Sequence, residues 1–188
     1  ADHFLRVTDL LIANNAFIEG GELSPARYTN TITVALRAGR LLWATGFLEK
    51  YKALLPGAFR DDSYDYNLAN LFYHQNKKEQ ASEVLAQLAT KDTYEAISVR
   101  TLQAKIFYET QNEFFLERFP ESFKRFMNRK KEIPSERKKA VDNFIRLFKK
   151  LCETAAWEKE RLLKLKKEVA QTETVLEKNW LTQQVKTK

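Results

Sequence analysis

Few residues of this chain are of the kinds that make tight turns or cross-links. Its 188 residues include five glycines, four prolines and one cysteine. So little glycine and proline leaves few of the turns that join β-strands, whereas residues with high helix propensity are abundant. The composition therefore predicts an all-α fold. The single cysteine, Cys152, excludes an internal disulfide and favours a reducing, cytoplasmic location, and we expect it to pack in the core rather than to react.

Long apolar runs and a leader sequence are also missing. No stretch of 18 apolar residues occurs, so we expect no membrane span. The first residues, ADHFLRVTDLL, lack the basic and apolar regions of a signal peptide. Because they have the pattern of an interior helix segment and no initiator methionine precedes them, we expect the chain to be a fragment of a longer protein.

The residues that usually carry catalysis or bind metals are sparse. The two histidines, His3 and His74, lie far in sequence from Cys152 and show no metal-ligand spacing. An acidic cluster at residues 61–65 coincides with a predicted helix start, where acidic side chains are favoured for capping. We therefore expect no enzymatic activity, no metal and no cofactor.

The chain is rich in apolar residues at the three- and four-residue spacings of amphipathic helices. Residues 66–88 predict two helices joined by a turn at Asn76-Lys77. Further helices are predicted over residues 3–18, 25–38, 41–55, 94–109, 113–129, 136–153, 155–171 and 173–185. We expect the phenylalanines of 113–129 to lie in the core, Pro120 to kink that helix or restart it, and Trp157 and Trp180 to anchor the last two helices.

The predicted turns between paired helices recur with a period. The turn residues Gly39, Asn76 and Gln111 are separated by 37 and 35 residues. Each precedes by five residues a side chain expected to pack between two helices, and these side chains are Ala44, Ala81 and Leu116. The period predicts a single domain with repeat-like units at about 25–58, 62–93 and 96–130 and capping C-terminal helices at about 136–185.

Several segments resemble a known family. These segments are LRAGRLLWATGFLEKYKALLP, YDYNLANLFYHQ, LQAKIFYETQNEF, DNFIRLFKKL and LEKNWL. Together they resemble the C-terminal part of an uncharacterised family of bacterial tetratricopeptide (TPR)-like helical-repeat proteins. The resemblance implies a TPR-like α-solenoid of antiparallel helix pairs with a helical C-terminal extension. It also implies a binding role, and it carries no activity over to this chain.

In such a solenoid the first helix of each pair would line a concave groove. Polar residues outside the apolar stripes are candidates to bind an extended peptide there, because asparagine and arginine can bond a peptide backbone or carboxylate. The candidates are Asn30, Arg37, Asn67, Asn70, Tyr73, His74, Arg100 and Lys105. The sequence therefore predicts a protein-interaction scaffold with a protein or peptide partner.

The positive charge of the chain is concentrated in its last third. Residues 124–167 contain 16 lysines and arginines and 6 acidic residues, whereas residues 1–123 contain 13 and 16. The densest runs are Arg129, Lys130, Lys131, Arg137, Lys138 and Lys139. This surface is interpreted as a solvated helix face, a site for an acidic protein, or a site for nucleic acid or another polyanion. No zinc ligands, RNP-like strand or glycine-rich phosphate loop accompany it.

The N-terminal segment adds one further expectation. If residues 1–18 form only half of a repeat, the missing partner helix leaves an apolar surface uncovered. We therefore expect the open N-terminal end to be available for a homodimer.

Overall fold

The computed structural model describes residues 2–90 and 92–188, and in these ranges it is built almost entirely of helices. The ten described α-helices are α1 Asp2–Ala13, α2 Pro25–Arg37, α3 Leu41–Tyr51, α4 Arg60–His74, α5 Lys78–Gln87, α6 Thr93–Glu109, α7 Glu113–Arg129, α8 Ser135–Glu153, α9 Lys159–Gln171 and α10 Lys178–Thr187. The strands are β1 Ile18–Glu19 and β2 Glu22–Leu23. The all-α prediction is confirmed. Ala1 of the N-terminal segment 1–18 and Lys91 of the second predicted unit lie outside the described residues.

The chain divides into two compact units. Unit 1 comprises Ala1–Ile106 and unit 2 comprises Phe107–Lys188. The division falls near the end of α6. Each unit therefore has its own set of packed helices.

The three turns found by the sequence period share one backbone conformation. Gly39, Asn76 and Gln111 all have positive φ, at 71°, 60° and 53°. At each turn the amide of this residue bonds a carbonyl three residues back, and the next amide bonds a carbonyl five residues back. This pair of backbone hydrogen bonds is the Schellman motif, which provides hydrogen-bond donors for the last carbonyls of a helix. The period therefore marks equivalent ends of α2, α4 and α6.

The first helix is shorter than predicted. It ends at Ala13 rather than at residue 18, because Asn15 takes a positive φ of 58° and starts the same kind of cap. The chain then forms a hairpin in which Ile18 pairs with Leu23 across Gly20 and Gly21, both with positive φ. Glycine reaches this left-handed region without the steric penalty of a Cβ atom. The fully buried Leu23 ties the hairpin to the core of unit 1.

The core of unit 1 consists of two apolar clusters that meet at α4. The first cluster joins α1, α2 and α3 with Leu71 of α4. The second joins Tyr66 and Ala69 of α4 to apolar residues of α5 and α6. The small residues expected between paired helices, Ala44 and Ala81, are fully buried. Close packing at these alanines lets the helices of each pair approach each other, whereas the third side chain expected between two helices, Leu116, is only half-buried.

Unit 2 is built on the apolar stripe of α8. Its aromatic core includes Trp180 of α10, whose ring lies 5.6 Å from that of Tyr108 and 6.2 Å from that of Phe148. The indole Nε1 of Trp180 donates a hydrogen bond to Glu109 at 2.7 Å. Trp180 is only 7% exposed, so its predicted anchoring role is confirmed within unit 2.

The prediction for Trp157 is wrong. This side chain is 82% exposed. The predicted helix over residues 155–171 starts later, at Lys159, so Trp157 lies in the link after α8 rather than on a packed helix face. The predicted break at Thr172 is a longer link, because α10 begins only at Lys178, after Glu177 with φ 50°.

The phenylalanines of α7 divide between core and surface. Phe119 and Phe123 are buried, whereas Phe114 and Phe115 are 63% and 43% exposed, so the expectation of an all-core set is wrong for the first turn. The helix continues through Pro120 from Glu113 to Arg129, so it does not restart there. Proline lacks an amide proton and leaves one carbonyl of the preceding turn without its helical partner.

Candidate partner-binding face and basic turn

The candidate groove residues lie on three alternate helices of unit 1, α2, α4 and α6, which the structure joins through polar contacts. We call the set of eight predicted residues on α2, α4 and α6 the polar face. Asn67 of α4 donates from Nδ2 to Thr29 Oγ1 of α2 at 2.8 Å. Lys105 of α6 places its ammonium 4.6 Å from the ring centre of Tyr73 of α4. Two predicted residues are therefore brought together between α4 and α6, whereas between α2 and α4 the predicted Asn67 contacts Thr29, which was not a candidate.

The depth of these side chains differs widely. Asn30 and Arg37 are exposed, and Tyr73, His74 and Arg100 are half-buried. The three others are buried, with exposed fractions of 0% for Asn67, 7% for Asn70 and 9% for Lys105. The exposed and half-buried residues of the polar face are those that a partner can touch without rearrangement of the helices.

Asn67 holds the framework of this face. Its Nδ2 donates to Ser63 O at 2.8 Å as well as to Thr29, and its Oδ1 is buried without a hydrogen-bond partner. A buried polar atom without a partner costs free energy, so the two bonds of the same amide must offset that cost. This side chain positions α4 against α2.

Arg100 and Tyr73 give the polar face its chemistry. Burial lowers the pKa of the Arg100 guanidinium, which still carries its charge at neutral pH. A partly desolvated cation attracts a carboxylate more strongly than an exposed one does, because less water screens the pair. The ring of Tyr73 meets that of His74 edge to face at 5.5 Å. Together these groups can bind an acidic or aromatic side chain of a peptide.

Sequence reasoning missed one half-buried acid in unit 1. Glu95 in the first turn of α6 accepts a hydrogen bond from the Thr90 hydroxyl at 2.6 Å. Burial raises the pKa of the Glu95 carboxyl, and this effect exceeds the opposing hydrogen bonds from Thr90 and Ser63. A glutamate in the first turn of a helix is expected for dipole reasons alone, so the sequence held no signal for its burial.

In unit 2 the structure brings the predicted basic residues to one turn. Helices α7 and α8 run antiparallel, since Lys149 of α8 contacts Glu121 of α7 at 2.9 Å and residues 130–134 join the two helices. The end of α7 and the start of α8 therefore lie together. The basic turn is defined here as Arg129, Lys130, Lys131, Arg137, Lys138 and Lys139.

The cations of the basic turn are mostly without a carboxylate partner. Within 124–139, all described, Lys130 is the member of the basic turn with an ion pair within 4.0 Å, to Glu132 at 3.9 Å. The Nε of Arg137 is buried and lacks a hydrogen-bond acceptor. Farther along α8 the cations are paired, since Arg146 and Lys150 both bond Glu168. Positive charge therefore accumulates at the turn end of the α7–α8 pair.

A cleft of about 520 Å³ lies in unit 2 beside the single cysteine. Its wall includes Tyr108, Leu116, Cys152, Gln184 and Lys188. Burial raises the pKa of the Cys152 thiol to about 12, although the nearby ammonium of Lys188 opposes that shift. The thiolate is therefore disfavoured, and the environment of Cys152 fits the predicted packing role.

Two further features concern the described part of the chain as a whole. Among residues 2–90 and 92–188, no group of three or more His, Cys, Asp and Glu side chains is placed to hold a metal ion. In the same ranges no helix has the length and apolar character needed to cross a membrane.

Comparison with known proteins gives no relative from which a function can be transferred. No protein-family model, curated protein or solved structure matches the chain.

Proposed function

We propose that this chain is a protein-interaction scaffold that binds an extended peptide on the polar face of unit 1. The observation that carries the proposal is that candidate side chains of α4 and α6 lie next to one another, through Lys105 and Tyr73, while Asn67 of α4 is hydrogen-bonded to Thr29 of α2, the neighbour of the candidate Asn30 in sequence. A row of polar groups held on rigid helices can bond a peptide along several residues.

The proposal places the chain among TPR-like helical-repeat proteins. It is supported by the equivalent Schellman ends at Gly39, Asn76 and Gln111 and by the fully buried alanines Ala44 and Ala81. Helix pairs that repeat in this way bury their apolar stripes against neighbours and leave their other faces for ligands. The proposed role is binding, and it assigns no catalytic step to the chain.

The accessible members of the polar face define the chemistry of the partner. Asn30 is exposed on α2 and Arg100 is half-buried on α6. An amide can bond the backbone of an extended peptide, and a guanidinium can bond a carboxylate through two parallel hydrogen bonds. The partner is therefore an extended peptide that carries at least one carboxylate.

The test is selection from a displayed random-peptide library with the immobilised chain, followed by affinity measurement on the enriched peptides. The double variant Asn30→Ala, Arg100→Ala should bind these peptides about ten-fold more weakly, equivalent to roughly 1.4 kcal/mol, because it removes an amide and a charge-assisted donor. Circular dichroism should show that the variant keeps its helices.

The matched control removes the same residue types elsewhere in unit 1. Gln80→Ala with Arg6→Ala changes one amide and one arginine on the exposed surfaces of α5 and α1. This control should bind the enriched peptides as the unchanged chain does. The proposal would be contradicted if the Asn30→Ala, Arg100→Ala variant bound the peptides as tightly as the unchanged chain does. It would also be contradicted if the library yielded no enriched peptide.

A further inference from the structure

The basic turn of unit 2 differs from an ordinary solvated helix face in its charge balance. Residues 124–139 contain eight lysines and arginines and two glutamates. Arg129, Lys131 and Lys139 are exposed, and Lys138 is half-buried. A solvated face usually mixes both signs of charge, as the C-terminal end of α8 does, where Lys150 pairs with Glu168 and Lys149 pairs with Glu121. The basic turn instead carries mostly positive charge.

The backbone adds to this positive potential. Helix α8 begins at Ser135 after Pro134, which makes no side-chain capping bond, and the first helical bond is donated by the Lys138 amide. The amides of the first turn of α8 therefore have no helical acceptors. They form the positive end of the helix dipole, close to the cationic side chains of the turn. The side chains carry most of the charge, and the helix start reinforces it.

The composition of the turn discriminates among polyanions. Between residues 124 and 139, all of which the structure describes, no large apolar side chain is exposed. Protein interfaces usually centre on exposed aromatic or apolar residues, and single-stranded nucleic acids bind through stacking on exposed aromatic rings. Phe126, the aromatic residue nearest to the turn cations, is half-buried under the ammonium of Lys130 at 5.6 Å. A partner that offers only regularly spaced phosphates needs neither kind of contact.

We propose that the basic turn binds the phosphate backbone of a nucleic-acid duplex without reading its sequence. The cations sit on two helix ends joined by a short link, so one surface can approach a single stretch of backbone. Neutralised phosphates release counterions, and affinity then falls steeply with salt. This function is independent of peptide binding by unit 1.

The test is fluorescence anisotropy of a labelled mixed-sequence duplex of about 20 base pairs, titrated with the full chain at about 50 mM and about 200 mM salt. We expect binding at the lower salt and affinity weaker by roughly a hundred-fold at the higher salt, which corresponds to about four phosphate contacts. The triple variant Lys131→Gln, Lys138→Gln, Lys139→Gln should bind at least about ten-fold more weakly at the lower salt.

The matched control removes three exposed lysines of α9 in the same unit. Lys159→Gln, Lys164→Gln and Lys166→Gln lower the net charge by the same amount, and this variant should keep the affinity of the unchanged chain within about three-fold. If the control lost as much duplex affinity as the Lys131, Lys138, Lys139 variant, the proposed site would be wrong, because net charge alone would then explain binding.

Two competitor polyanions complete the test. A single strand of the same length and a polyglutamate of similar charge should each compete less well than the duplex. Stronger competition by polyglutamate would overturn the proposal in favour of an acidic protein partner. Stronger competition by the single strand, or the absence of duplex binding at the lower salt, would equally overturn it.

Discussion

Two side chains in the cleft of unit 2, Cys152 and Lys188, lie in surroundings that favour their neutral forms. Burial raises the pKa of the Cys152 thiol and lowers the pKa of the Lys188 ammonium. Both shifts have the same cause, because a less polar environment disfavours whichever form is charged. The Lys188 ammonium donates a hydrogen bond to Leu151 O at 2.7 Å and lies 5.3 Å from the ring centre of Tyr108.

The thiol of Cys152 should therefore react slowly. With a pKa of about 12, almost none of it is thiolate at pH 8, and the thiolate is the form that alkylating reagents attack. We expect iodoacetamide to modify the folded chain at least about a hundred-fold more slowly than the chain unfolded in guanidinium, measured by mass spectrometry at pH 8. A folded-state rate within a few-fold of the unfolded-state rate would show that Cys152 is an open, reactive thiol.

Individual residues also show how far helical phase predicts a site. The phase of α4 predicts that Asn67 and Asn70 lie outside the apolar stripe, yet both are buried in the structure. Phase gives the direction of a side chain and not the distance to the next helix. Asn67 is covered because α2 brings Thr29 to within 2.8 Å of it, a contact between residues 38 positions apart. Sequence spacing within one helix carries no information about that contact.

At the scale of the element, α10 depends on a single aromatic anchor. Trp180 is 7% exposed and packs against Phe144 at 6.5 Å and Phe148 at 6.2 Å, both on α8. Large aromatic side chains contribute strongly to core energetics because they bury a wide apolar area. Trp157, on the link before α9, contributes no comparable burial.

The two tryptophans should respond very differently to truncation. Trp180→Ala should lower the free energy of unfolding of unit 2 by about 3–5 kcal/mol, because it opens a cavity and removes the bond to Glu109. Trp157→Ala, a matched change at an exposed site, should alter it by no more than about 0.5 kcal/mol. Urea unfolding followed by circular dichroism measures both, and comparable losses for the two variants would contradict the packing described for α10.

Elements were predictable where the sequence carries a repeated local signal. The turns at Gly39, Asn76 and Gln111 were located by their period, because each needs a residue that tolerates positive φ after an amphipathic helix. The hairpin at residues 18–23 has no such repeat, and there the sequence predicts only a helix that ends at residue 18. Two residues per strand are too few for alternating polarity to be recognised.

At the scale of the whole molecule, the two units carry surfaces of different chemistry. Unit 1, residues 1–106, has 12 basic and 12 acidic residues, whereas unit 2, residues 107–188, has 20 basic and 13 acidic residues. The polar face of unit 1 is suited to hydrogen bonding with a peptide, and the basic turn of unit 2 is suited to phosphates.

The assignment of peptide binding to unit 1 is tested most directly by hydrogen–deuterium exchange of the full chain with and without an enriched library peptide. Binding stabilises the helices it touches, so their amides should exchange more slowly. We expect added protection in α2, α4 and α6 up to residue 106 and unchanged exchange in α8, α9 and α10. Protection confined to residues 107–188, or no added protection at saturating peptide, would contradict the account.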